Sequence, residues 1–262
     1  MAFKIARRAF GATVIGLLIA ATHQQSAAAD PVHILGTDWG LTLKSDGSGF
    51  YNDLARLVMP PSLGNVEYEI LPYKRAKRAF LASKTSCLYP NSLGYLVSTG
   101  TLKSRDAFVE SRSIVAAQSH IFSPHDTRPP AGPRELRGQR VAYALGSDVA
   151  NLLKGTGAYF VAVSDEVGKA RMLLEGRTDL LIAVLPDAKF VFDSLGTGLP
   201  PYDPAFALDS TEIGVVCHAT DENRAFIQAF DRHLEGLVSS GQLRAFLVSQ
   251  GLDPQAHMPR QE

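Results

Sequence analysis

The sequence predicts an α/β protein built as two βαβ lobes joined by two hinge strands. Three observations carry this. Two runs of alternating strand and helix patterns lie on either side of a Pro-rich segment, "SPHDTRPPAGPRELRG", and alternation of that kind signals a mostly parallel sheet with helices packed on it. Two extended segments, "RSIVAAQSHIFS" and "FALDSTEIGVVCHAT", flank the second run. An echo then links the halves. "HILGTDWG" (His33 to Gly40) and "YALGSDVA" (Tyr143 to Ala150) both end an apolar strand in Leu-Gly, a small hydroxyl residue and Asp.

The elements follow in order. "VHILGTD" is a strand, and "GSGF" a turn. In "FYNDLARLVM", Phe50, Leu54, Leu57 and Val58 form one apolar helical stripe, and Pro60-Pro61 stops it. "VEYEIL" alternates as a strand does. Pro72 opens a helix, "YKRAKRAFLAS", with Ala76, Ala79 and Phe80 on its apolar side. "TSCLYPNS" is a third strand. Beyond the Pro-rich boundary, "QRVAYAL", "AYFVAVS" and "TDLLIAVL" predict strands, interleaved with helices over "SDVANLLKG" and "DEVGKARMLLEG". "PDAKFVFDSLG" continues that set. The terminal "DENRAFIQAFDRHLEGLVSSGQLRAFLVSQGL" carries Phe226, Phe230, Leu234 and Leu237 as a long stripe, with Asp221 as its N-cap.

These last helices need the first sheet to pack on, so the second lobe reads as an insertion. The expected boundaries are 1–29 for a leader, 30–117 with 213–262 for lobe 1, and 118–212 for lobe 2. Ligands of open α/β sheets bind beyond the carboxyl ends of strands. The echoed strand ends would then face a shared cleft, where exposed backbone N–H groups suit polar or anionic ligand groups.

The first residues read as a secretory signal peptide. Lys4, Arg7 and Arg8 precede the apolar or small run Phe10 to Thr22, and Ala27-Ala28-Ala29 offers a cleavage site after Ala29. The run is shorter than the ~20 residues that span a bilayer. Export to a bacterial periplasm is expected, with no stable membrane insertion after cleavage. Loss of the leader leaves 23 basic and 26 acidic residues, a balance that gives no footprint for nucleic acid. Cys87 and Cys217 fall in predicted strands. Export permits a disulfide between them, and two buried free thiols are the alternative.

Four segments, in order, carry a resemblance. "GSGFYNDLARLV" is similar to a Gly-Phe-x-x-Asp-Leu helix, and "ELRGQRVAYALGSDVANLLK" to a Leu-x-Gly-x-x-Val-x-x-x-x-Gly-Ser/Thr segment. "ARMLLEGRTDLLIAV" is similar to Ala-x-x-x-Gly-x-x-Asp-Ala, and "NRAFIQAFDRHLEGLVSSGQLRAFLVSQGL" to a terminal helix pair. Together they resemble family 3 solute-binding proteins of bacterial ABC importers, the amino-acid type with the type II periplasmic binding fold. The resemblance implies that Arg105, in "TLKSRDAF", grips a ligand carboxylate, for which a guanidinium fork is suited. It implies that Gly146 and Ser147 supply N–H and hydroxyl groups to the same carboxylate. It also implies an acid after the third strand of lobe 2. There the sequence departs from the pattern: Ala183 and Val184 stand in that place, and Asp187, three residues on, is the candidate substitute.

Other candidates come from the strand ends themselves. Asp38 suits a cationic group. Trp39, the single tryptophan, and Tyr73 suit apolar parts of a small ligand. Arg75 lies at the start of the same helix as Tyr73, and Asn91 with Ser92 ends "CLYPNS". No metal or cofactor is expected: His120, His125 and Asp126 lie at the Pro-rich boundary without ligand spacing. No nucleophile is paired with a base. The expected function is a periplasmic, non-enzymatic solute-binding protein that captures a small polar ligand, an amino acid or a related molecule, for an ABC permease. The alternatives are an accessory protein or membrane sensor on the same fold without amino-acid affinity, and a cleft enzyme such as a dehydratase.

Overall fold

A computed structural model describes residues 31–145, 147 and 149–260. The leader assigned to 1–29 and the candidate ligand residue Gly146 lie outside the described residues. The fold is mixed α/β, with two βαβ lobes joined by two long strands. In chain order the elements are β1 (Val32–Asp38), α1 (Phe50–Val58), β2 (Val66–Pro72), α2 (Tyr73–Ala82), β3 (Ser86–Asn91), α3 (Leu93–Ser98), β4 (Phe108–Glu110) and β5 (Val115–Phe122). There follow β6 (Arg140–Ala144), α4 (Val149–Leu152), β7 (Tyr159–Val163), α5 (Glu166–Leu174), β8 (Leu180–Leu185), α6 (Asp187–Ser194), β9 (Tyr202–His218), α7 (Asp221–Ser239), α8 (Gln242–Ser249) and α9 (Pro254–His257).

Strand β9, seventeen residues long, serves both halves. Its C-terminal part lies antiparallel between β3 and β4, with Cys87 opposite Cys217 and Glu110 opposite Val216. Its N-terminal part pairs antiparallel with β5, from Val115 opposite Ile213 to Phe122 opposite Tyr202. β1 pairs in parallel with β2 and β3. In the other half, β8 is antiparallel to β5 and parallel to β6, which pairs in parallel with β7. The ladder therefore runs unbroken through β9. The halves are distinguished by their pairing sets and cores, not by a gap between sheets.

Each half has a core on both faces of its strands, as period-two alternation requires. Ile34, Cys87 and Val215 turn toward α1, α7 and α8, with Phe50, Leu54, Phe230 and Leu247. Their neighbours Leu35, Leu88 and Val216 turn toward α2 and α3, with Ala76, Phe80 and Leu96. In the second half Leu181, Ala183 and Leu185 meet Ala170, Leu173 and Phe192, while Leu180 and Ile182 meet Leu136 and Leu153. β3 is buried throughout, as a strand covered on both sides should be.

Three differences from the sequence reading have simple causes. Thr220, not Asp221, caps α7, its hydroxyl accepting from the Asn223 N–H at 3.2 Å; Asp221 sits in the first turn, where its charge suits the helix dipole. The helix expected over "SDVANLLKG" is a single turn, and Gly155 and Gly157 both take positive φ a few residues beyond it. α3 and β4 were not foreseen. Both are too short to show periodicity in sequence.

Cys87 and Cys217 form a disulfide across the β3–β9 pair, with both residues fully buried. The bridge closes a loop with a sequence separation of 130 and ties the returning strand to lobe 1. Replacing both cysteines by alanine is expected to destabilise the protein by about 4–5 kcal/mol through the loop-entropy term, read as a lower urea midpoint; an unchanged midpoint would show that the bridge contributes nothing to stability.

Candidate functional site

The carboxyl ends of β1, β2, β3 and β4 lie on one edge of lobe 1, since all four run the same way. Here the structure gathers most of the candidate residues. Asp38 Oδ1 accepts the Gly40 N–H at 2.8 Å, a short turn that leaves Trp39 38% exposed. Asp38 lies opposite Pro72 in the ladder, which sets Tyr73 beside it. The Trp39 and Tyr73 rings are 4.7 Å apart at 41°. The Lys77 ammonium sits 4.4 Å from the Tyr73 ring centre, a cation held by the ring's negative face. Arg75 is exposed on the same helix and meets no carboxylate among the described residues.

Asn91 and Ser92 are buried at the end of β3, where Asn91 Oδ1 accepts the Ser92 N–H at 3.0 Å. Arg105 Nη2 lies 3.6 Å from Glu110 Oε2. The other oxygen of Glu110 accepts the Leu93 N–H at 2.7 Å. Burial pushes the Glu110 carboxyl above its ordinary value, while the Leu93 N–H, the Arg105 charge and the Ser92 hydroxyl pull it back. The sequence reading missed Glu110. Its only signal was an acid ending the short apolar pair Phe108-Val109.

In lobe 2, Ser147 donates its N–H to the Ala144 carbonyl at 3.0 Å, and its hydroxyl accepts from the Val149 N–H at 3.3 Å. The hydroxyl thus helps to start α4, which is an N-cap-like role. Val184, in the place where the resemblance implies an acid, is 39% exposed.

Asp187 has a different setting from the other candidates. Its Oδ1 accepts from the Thr42 hydroxyl at 2.5 Å, and its Oδ2 from the Tyr51 hydroxyl at 3.1 Å. Both donors belong to the β1–α1 region, so the bonds run between the halves. Packing supports them: Phe190 of α6 stacks on Phe50 at 5.1 Å, and Leu41 packs against the lobe 2 core. Gly49 makes this possible locally. Its φ of +107° and the close approach of the Thr42 carbonyl, 2.6 Å from where a Cβ would stand, admit only glycine. The Tyr51 N–H then bonds that same carbonyl at 2.9 Å, which fixes Thr42 and Tyr51 together. Neither was singled out from sequence, because their partner is over 130 residues away.

The structure therefore unites Asp38, Trp39 and Tyr73 in one group, and Ser92 and Arg105 around Glu110 in another. It assigns Asp187 to contact between the halves. Among the described residues no cluster of three or more His, Cys, Asp or Glu side chains has the arrangement to hold a metal ion.

Desolvation raises the Asp187 pKa from 3.8 to about 6. The residue keeps some exposed surface, although its carboxyl is closely surrounded. Because the folded value is raised, its contribution to stability is complete below about pH 4 and is lost as pH rises through about 6. Wild-type protein should lose about 2 kcal/mol from this group between pH 4 and pH 7. Asp187→Asn should remove that part of the slope in urea titrations across the window; an identical slope in the variant would contradict the assignment.

No protein-family model matches the chain, and no curated protein matches it. Solved structures do. A histidine kinase sensor domain with similarity to periplasmic binding proteins is 17% identical, with TM-score 0.64, covering 84% of this chain and 95% of its own. The GluR0 ligand-binding core from Nostoc punctiforme, in complex with L-glutamate, is 17% identical with TM-score 0.64, covering 84% and 98%. The probable amino-acid ABC transporter extracellular-binding protein ytmK from Bacillus subtilis is 13% identical with TM-score 0.64, covering 84% and 97%. With the two lobes, the shared hinge strands and the strand ends of both halves in place, the chain has the fold of the type II periplasmic binding proteins.

Proposed function

We propose that this protein is an exported solute-binding protein that captures a small polar molecule between its lobes and delivers it to an ABC permease. The observation that carries this reading is the contact of Asp187 with Thr42 and Tyr51. It brings the region after β8 against the region after β1, so the carboxyl ends of the two strand sets look toward each other. Such strand ends are where α/β sheets take ligands. Asp38, Trp39, Tyr73, Ser92 and Arg105 line the lobe 1 side, and Ser147 the lobe 2 side. The lobes are 30–117 with 213–262 and 118–212, and bending at the β4–β5 and β9 crossings closes them. Residues 1–29 are a leader removed on export. No described helix is long and apolar enough to cross a membrane. The protein acts by binding, and closure is what a permease recognises; a solute shifts the open–closed equilibrium only by contacting both lobes.

A second reading, an extracytoplasmic sensor or accessory protein, is favoured by one feature. Val184 gives a zwitterion's ammonium no partner, and a sensor domain is among the similar structures. Both readings share a bound solute and differ in who recognises the closed form.

A metabolite library screened by thermal unfolding separates binding from its absence. A solute at about a hundred times its dissociation constant should add about 2.7 kcal/mol of stability. Small-angle scattering should then show a smaller radius of gyration with that solute than without it. No stabilisation by any library member, or binding with an unchanged radius, contradicts capture by lobe closure.

A further inference from the structure

Lobe 1 holds an anion cradle, and the chain fills it with its own carboxylate. Its parts come from two segments, Ser92–Leu93 and Arg105. The Leu93 N–H, at the start of α3, donates to Glu110 Oε1 at 2.7 Å. The Arg105 guanidinium lies 3.6 Å from Oε2. The neighbouring Ser92 hydroxyl favours the charged form of Glu110. Backbone N–H, hydroxyl and guanidinium converging on two oxygens are what a carboxylate requires. Glu110 is largely shielded, with 23% of its side chain exposed, whereas Arg105 is 61% exposed.

We propose that Glu110 is the specificity-determining residue of the cleft: it occupies the Ser92–Leu93–Arg105 cradle, so the captured solute carries no carboxylate at that end. This rests on the solute-binding reading above and narrows its ligand class. An incoming carboxylate would have to displace Glu110 and leave a half-buried charge without partners, which disfavours the exchange. At the other strand ends the same selection holds. Asp38 repels an anion, the Trp39–Tyr73 pair offers an apolar surface, and Val184 offers no acid to an ammonium. The ligand class is therefore a ring-bearing or apolar-bodied solute with a neutral or cationic head, not an α-amino acid gripped at both ends.

The test uses 3-phenylpropionate and L-phenylalanine as carboxylate probes, measured by isothermal titration calorimetry on the wild type, Glu110→Ala, Glu110→Gln and the double variant Arg105→Ala/Glu110→Ala. Circular dichroism melts establish that each variant is folded, and Glu110→Gln keeps the side-chain volume should the alanine variant melt early. The expected result is a gain of at least about tenfold in affinity for 3-phenylpropionate in Glu110→Ala, a smaller gain in Glu110→Gln, and loss of the gain in the double variant. Equal affinity in wild type and both single variants overturns the proposal, as does a wild type that binds L-phenylalanine more tightly than Glu110→Ala does. The outcome is separable from solute capture itself. A wild type that binds nothing in the metabolite library, with a Glu110→Ala variant that gains 3-phenylpropionate, sinks capture and keeps the cradle. A wild type that closes on a solute, with variants that gain no carboxylate, does the reverse.

Discussion

Strand β9 has to satisfy two sheets with one backbone. Its last residues fill the gap between β3 and β4, and its first residues pair along β5. A strand that is central at one end and hinge at the other cannot slip by one residue, because a slip would send its apolar residues to the wrong face. Val215 and Cys217 go to one core and Val216 to the other. The Cys87–Cys217 bridge fixes that register covalently. Everything placed at the strand ends inherits its position from it, since β3 and β4, which carry Asn91 and Glu110, are aligned only through β9.

The strand ends show how the fold distributes charge. Parallel strands ending together concentrate backbone N–H groups and polar side chains at one edge, and each such group needs a partner. Lobe 1 meets this need from within: Asp38 takes the Gly40 N–H, and Glu110 takes the Leu93 N–H. Trp39 and Tyr73 pair beside these satisfied groups. The edge is thus ordered before any solute arrives, and preorganisation of that kind lowers the entropic cost of binding.

The contact between the halves obeys a different logic. Asp187 is a carboxyl in poor solvent contact, satisfied by two neutral hydroxyls and, among the described residues, by no cation. Hydroxyl donors stabilise the charged form less than a cation would, so desolvation prevails and the pKa rises. Apolar stacking of Phe50 on Phe190 supplies the rest of the contact.

By itself the sequence determined the alternating α/β pattern, the two lobes and the candidate strand ends, because these depend on local periodicity and on glycines and prolines that act within a few residues. The apolar stripes of α1 and α7 and the buried run of β3 were legible for that reason. Only the tertiary structure decided which charges meet. Nothing in "FVES" announces that Glu110 bonds Leu93, and nothing in "LPDAK" announces that Asp187 faces Thr42 and Tyr51. A carboxylate looks the same in sequence whether it awaits a ligand or already holds a hydrogen-bond donor from its own chain. The difference lies in distances set by packing between segments far apart in the chain, and local propensity carries no record of those distances.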